Sequence, residues 1–171
     1  MKTVRKFAAD VSALLAILFV VPAANAQQRP APAADLTAAW IGFVDDAIAN
    51  EPGFGGAFRW YISPRIAIGP ELIYIPADSH SHFVLTGNLT WDVLSQASHP
   101  QATPFLVAGA GMFRTHEEFF DDAVTASEGA FTAGGGIRSR VADRVSVGVD
   151  ARVGWELHLR IGAFAAIRLG R

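Results

Sequence analysis

From Val145 to Trp155 the chain alternates without a break. Val145, Val147, Val149, Ala151, Val153 and Trp155 fall on one side of an extended chain, and Ser146, Gly148, Asp150, Arg152 and Gly154 on the other. A period of two over that length specifies a β-strand with one apolar and one polar face. The preceding segment repeats the pattern, with Phe131, Ala133, Gly135 and Ile137 against Thr132, Gly134, Gly136, Arg138 and Arg140. Between the two, Ala142, Asp143 and Arg144 make a tight hairpin connection. Alternation alone does not say which face meets water, because a soluble sandwich carries the same pattern with its polar face outside.

The start of the chain narrows the choice. Lys2, Arg5 and Lys6 form a basic beginning, Val11–Val21 is apolar apart from Ser12, Pro22 ends the run, and Ala24-Asn25-Ala26 has the small-x-small form of a cleavage site. This pattern predicts a secretory signal peptide over residues 1–26, since the run is too short to span a bilayer as an anchor. Cleavage removes both lysines of the chain and leaves 11 basic against 15 acidic residues, a net charge of about −4. A mildly acidic exported chain without a basic cluster argues against a nucleic-acid partner. The absence of cysteine excludes a disulfide-held secreted domain. No later apolar run is long enough for a transmembrane helix, which leaves β-barrels open because their strands are short and only alternately apolar.

Residues 27–36, QQRPAPAAD and the residue after it, read as a disordered linker. Strand one is expected from about Thr37 to Asp46, with Ala39, Ile41 and Phe43 on its apolar face opposite Trp40 and Gly42; a helix is the competing reading there. Asn50–Gly53 reads as a turn. In strand two Phe54, Phe58, Trp60 and Ile62 oppose Gly55, Ala57, Arg59 and Tyr61. After the tight turn Ser63–Arg65, strand three sets Ile66, Ile68, Leu72 and Tyr74 against Ala67, Gly69 and Glu71, with a bulge or local edge expected at Pro70. Pro76–Ser81 is a loop. Strand four sets Phe83, Leu85, Gly87, Leu89 and Trp91 against Val84, Thr86, Asn88, Thr90 and Asp92. Leu94–Thr103 is a polar connection to strand five, PFLVAGAGMFR, which is apolar on both faces. Thr115–Glu128 is the longest and most acidic loop. Strands six and seven form the hairpin described above, and strand eight sets Leu159, Ile161, Ala163, Ala165, Ile167 and Leu169 against His158, Arg160, Gly162, Phe164 and Arg168.

Eight strands of about 9 to 12 residues suit a bilayer crossed at a tilt. The apolar faces carry Trp60, Tyr74, Trp91, Phe113 and Trp155 towards strand ends, where aromatic girdles sit. The opposite faces place Arg59, Glu71, Asp92, Arg138, Arg140, Asp150, Arg152, Arg160 and Arg168 among glycines. An eight-stranded barrel has an interior just wide enough for side chains, and charges at that depth need partners. The expectation is therefore a plugged lumen holding a structural ion-pair network; if both termini are periplasmic, the very short turns lie on that side and the long acidic loop outside. Two connections fit this asymmetry less well, Leu94–Thr103 being long and Gly154–Leu157 short.

The leader, the motif PFLVAGAG, the run GGGIRSRVADRVSVGVDARVGWELHLRIGAF and the ending IRLGR together resemble the small outer-membrane β-barrel proteins of the OmpA-like class, over about residues 37–171. The resemblance implies an all-β fold, an eight-stranded antiparallel up-and-down transmembrane β-barrel following a cleaved signal peptide. It also implies outer-membrane lipids and the barrel-assembly machinery as partners. One departure is that barrels of this class usually finish on an aromatic residue, whereas this chain finishes Leu169-Gly170-Arg171.

Motifs for chemistry are weak. His80 and His82 form an i, i+2 pair that His116 and Glu117 would have to complete as a zinc site, and a solvated loop is the favoured reading. Ser81 with His82, or His158 with Glu156, lacks the third group of a hydrolytic triad. Phe119 and Phe120 within THEEFFDD could make a cation or partner contact outside the cell, and a solvated loop is again the favoured reading. The expected function is a non-enzymatic outer-membrane barrel without a cofactor, contributing envelope structure or displaying external loops. The alternatives are a narrow channel, a lipid-A-modifying enzyme and a soluble periplasmic lipocalin-like lipid binder with every face inverted.

Overall fold

The computed structural model describes residues 29–43, 49–77, 80–119, 122–154 and 158–170. The leader expected over residues 1–26 and the girdle residue Trp155 lie outside them. The described strands are β1 (Ala33–Phe43), β2 (Ala49–Tyr61), β3 (Ile66–Pro76), β4 (His80–Asp92), β5 (Thr103–Phe119), β6 (Asp122–Arg140), β7 (Val145–Gly154) and β8 (His158–Arg168). Each pairs antiparallel with the next, and β8 pairs back onto β1. Closure leaves the sheet without an open edge around its wall.

The register fixes the stagger. From Ala33 the pairing passes to Arg59, then from Gly69 through Asn88, Gly109 and Thr132 to Gly154, and His158 meets Phe43, ten residues along β1 from the start. The steps from Arg59 to Gly69 and from Gly154 to His158 continue the neighbouring pairs Trp60–Ile68 and Val153–Leu159. Such a stagger over eight strands tilts them roughly 35–45° from the barrel axis.

The apolar faces point outward. Leu36 is 72% exposed, and Phe54, Trp60, Leu106, Ile137, Val149, Val153, Ile161 and Ile167 are exposed with it. A soluble protein does not leave a continuous apolar wall in water; hydrocarbon is the solvent in which this wall is stable. This orientation is the reverse of a lipocalin-like soluble barrel. Trp60 and Trp91 stand on the wall near the end at which β1 begins and β8 finishes, here called the terminal end. Tyr74 packs its ring between Phe54 and Phe83 towards the other end.

Several strand-level expectations are corrected. β1 begins at Ala33, inside the stretch read as linker, and is strand rather than helix through Phe43. Its apolar set Ala39, Ile41 and Phe43 faces inward, where Ile41 packs with Ile73 and Ile75. The alternation was correct, but both faces of β1 are apolar there, so only its neighbours decide which is inside. For the same reason Phe113 is buried in the lumen rather than standing in a girdle. Asn50–Gly53 is part of β2, paired to Gly42–Ala39, because β1 continues opposite it. At Pro70 the β2–β3 ladder lapses between the Ala57–Glu71 and Trp60–Ile68 pairs without a change of register, so no residue is inserted. A missing N–H interrupts the ladder but does not bulge it. The acidic segment Thr115–Glu128 is mostly a hairpin: β5 and β6 stay paired as far as Phe119–Asp122. β6 meets β7 only from Thr132 onward, so its Asp122–Phe131 part rises past the end of β7, while β5 stays beside β4 as far as Glu117.

Candidate functional site

The lumen is filled in layers. Nearest the terminal end, Arg138 on β6 donates to Asp92 Oδ1 at 2.5 Å and to the Tyr61 hydroxyl at 2.8 Å. Gln96, from the connection between β4 and β5, turns into the mouth, donating to Asp92 Oδ2 at 2.8 Å and to the Tyr61 hydroxyl. Asp92 is completely buried. Above it, Phe105 and Phe164 meet edge to face with centroids 6.0 Å apart. Arg138 lies 4.6 Å from the Phe105 centroid and Arg59 lies 5.7 Å from that of Phe164, both within cation–π reach. Glycine makes this layer possible. A Cβ on Gly136 would come within 2.7 Å of the Phe105 ring, and one on Gly148 within 2.4 Å of Phe164.

The middle layer is ionic. Arg152 on β7 reaches both oxygens of Glu71 on β3, at 2.8 and 3.3 Å, and donates through Nε to Asp150 at 2.7 Å. Arg160 on β8 bridges Glu71 at 2.9 Å and Asp150 at 3.3 Å. Asn88 donates to Glu71 at 3.0 Å, and Arg59 pairs with Asp35 at 2.7 Å. Four arginines (Arg59, Arg138, Arg152, Arg160) thus contact four carboxylates (Asp35, Glu71, Asp92, Asp150), and the formal charge of the plug cancels. Charge-assisted and bidentate contacts of this kind are the strong form of hydrogen bond. The cavity left among Asp35, Arg59, Glu71 and Asp150 is about 30 Å³, room for one or two waters.

Of the nine residues singled out in the sequence, seven meet in these layers. Arg140 and Arg168 do not: among the described residues neither has an ion-pair partner, and Arg140 reaches only the Gln96 carbonyl at 3.5 Å. Both line the open mouth at the terminal end with Arg29 and Arg144, where solvent is available. Three partners were missed. Asp35 shares parity with Thr37 and would have been found by extending strand one two residues. Tyr61 had the correct parity but was not counted as polar. Gln96 sits in a connection with no periodicity to read.

The other end of the lumen carries a separate cluster. Beyond the apolar layer of Ile41, Ile73 and Ile75, Glu51 from β2 faces His80 and His82 from β4. His80 Nε2 lies 3.0 Å from Glu51 Oε1, and His82 Nε2 lies 3.9 Å from Oε2. The His82 ring stacks on Phe113 at 4.9 Å, and its Nδ1 lies 3.0 Å from the Thr115 hydroxyl. His116, expected as a further ligand, pairs across the hairpin with Thr125 at 3.1 Å and lines the outer wall beside Phe83 and Met112. It lies on the opposite parity of β5 from Phe113 and Thr115. The third member of the cluster is acidic, Glu51, overlooked because Asn50–Gly53 reads as a turn. Ser81 alternates to the opposite face from His82, so the pair forms no nucleophile and base.

Known structures share this architecture. The N-terminal β-barrel domain of Pseudomonas aeruginosa OprF superposes with a TM-score of 0.63 at 8% identity, covering 80% of this chain and 97% of that one. Neisserial surface protein A superposes with 0.66 at 11%, covering 81% and 96%. The attachment invasion locus protein Ail of Yersinia pestis superposes with 0.57 at 10%, covering 82% and 99%. At these identities the likeness is one of fold. Comparison with the curated proteins finds no match. The model of the outer membrane protein beta-barrel domain family matches residues 11–162, and the chain belongs to that family.

Proposed function

We propose that this protein is a non-enzymatic, non-conducting barrel of the outer membrane that contributes to envelope structure and carries the β5–β6 hairpin on the external side. The observation behind this reading is the lumen. The charges of its plug cancel within a network anchored on β1, β2, β3, β4, β6, β7 and β8, and the space left among them has room for one or two waters. A conducting pore needs a continuous water path, which this network occupies with side chains fixed from several strands. The apolar wall supports outer-membrane lipid as the surrounding medium, and a barrel of this kind would be delivered by the barrel-assembly machinery. The ion-pair network is thus a structural plug rather than a gate.

The test is planar-bilayer recording of the refolded protein, paired with membrane fractionation and gel mobility of unboiled against boiled samples. Outer-membrane recovery, a heat-dependent shift in mobility and electrically silent insertion are the expected results. Reproducible unitary conductance steps would replace this reading with the narrow channel.

A further inference from the structure

Among the described residues, five carboxylates turn into the lumen: Asp35, Glu51, Glu71, Asp92 and Asp150. Four of them contact an arginine. Glu51 does not: its ion-pair partners among the described residues are the imidazoles of His80 and His82. The Glu51 side chain is only 11% exposed, and its Oε2 is buried without a hydrogen-bond partner among the described residues. A carboxylate held in such a place next to an apolar layer requires positive charge.

We infer that Glu51, His80 and His82 form a site for a divalent transition-metal ion of the zinc class. One ligand atom from each residue lies within 4.8 Å of the other two. Ligands at tetrahedral angles around zinc are about 3.4 Å apart, so the set closes by a small movement of His80, whose side chain is 32% exposed. His82 is oriented in advance. It stacks on Phe113, and its Nδ1 lies at hydrogen-bond distance from the Thr115 hydroxyl, so that the tautomer protonated at Nδ1 turns the Nε2 lone pair towards Glu51. Fixing the tautomer through the far nitrogen is the usual support for a metal-ligating histidine. Two imidazoles and one carboxylate leave a fourth position for water, and this donor set selects zinc, copper or nickel over calcium and magnesium. The site lies at the hairpin end of the lumen, apart from the ionic plug, so it is independent of whether the barrel conducts.

The experiment is calorimetric titration of zinc chloride into the untagged, metal-stripped barrel refolded in detergent, with cobalt(II) absorption as a report of geometry. The heat-dependent mobility shift serves as the folding control. The expected result is one zinc per barrel with a dissociation constant of about 10 µM or tighter, and a cobalt spectrum of tetrahedral intensity. Glu51→Gln and His80→Ala are each expected to weaken binding by more than tenfold, and Thr115→Val by about tenfold. His99→Asn, in the connection at the other end, and His116→Asn, on the outer wall, are expected to change nothing. The half-exposed His80 makes His80→Ala the decisive variant if Glu51→Gln does not fold. Absence of saturable binding, or binding that survives His80→Ala and Glu51→Gln in folded protein, would overturn the site. Loss of binding in His116→Asn would also overturn it, by moving the ion to the outer wall.

Discussion

Arg152 and Glu71 are 81 residues apart in the chain, and Arg152 grips both oxygens of Glu71 across the lumen, at 2.8 and 3.3 Å. Arg160 takes the same carboxylate from a second side, and Asp150 sits beneath both arginines. The ion pairs therefore tie β3 to β7 and β8, neither of which shares a ladder with it.

Glu71→Gln removes one charge from a buried set that balances. Arg152 and Arg160 are then left to share Asp150. Breaking a buried pair by removing one partner is expected to destabilise the fold by about 3–5 kcal/mol, read as a fall in the urea midpoint of the barrel folded in vesicles. A wild-type midpoint in the variant would show that the network adds nothing to stability.

Gln96 is a loop residue acting as part of the plug. Gln96→Ala leaves Asp92 Oδ2 and the Tyr61 hydroxyl without that donor. The expected loss is about 1–3 kcal/mol. Ser98→Ala, in the same connection but exposed, is expected to be neutral within about 0.5 kcal/mol. The comparison uses one denaturation series on both variants.

Val149 stands mid-strand on the outer wall. Val149→Arg is expected to cost about 2–4 kcal/mol when the barrel is folded in a lipid bilayer. Were the wall in contact with water, the same change would be close to silent. Folding yield and unfolding midpoint in vesicles distinguish the two.

The chain contains no cysteine, which makes single-cysteine labelling a clean measure of orientation. Ser127 on the hairpin and Ala142 in the β6–β7 turn are both exposed and lie at opposite ends of the barrel. Ser127→Cys is expected to react with a membrane-impermeant maleimide on intact cells. Ala142→Cys is expected to react only after the outer membrane is permeabilised. The reverse pattern would turn the barrel over and place the hairpin in the periplasm.

The residues also show how far local pattern reaches. Val145–Val153, Ile66–Glu71 and Leu85–Asp92 alternate apolar with small, polar or charged, and both faces were readable without the fold. Strand five and the end of strand one are apolar on both sides, so Phe113, Ile41 and Phe43 carried no local mark of being inside. Glu51 and Asp35 were hidden because strand ends are weakly written when a proline or glycine stands near them; Pro52 and Gly53 look like a turn and pair as strand.

By itself the sequence determined that this chain makes β-strands with one apolar and one small, charged face, and hence which charges share a side. That is a local property, since successive side chains of an extended backbone alternate whatever the neighbours do. Only the tertiary structure decided which charge meets which. Arg152 reaches Glu71, Arg138 reaches Asp92, and Glu51 meets two histidines rather than an arginine. Those pairings depend on the ten-residue stagger accumulated around the closed barrel, and a shift in any one ladder would re-pair the whole lumen.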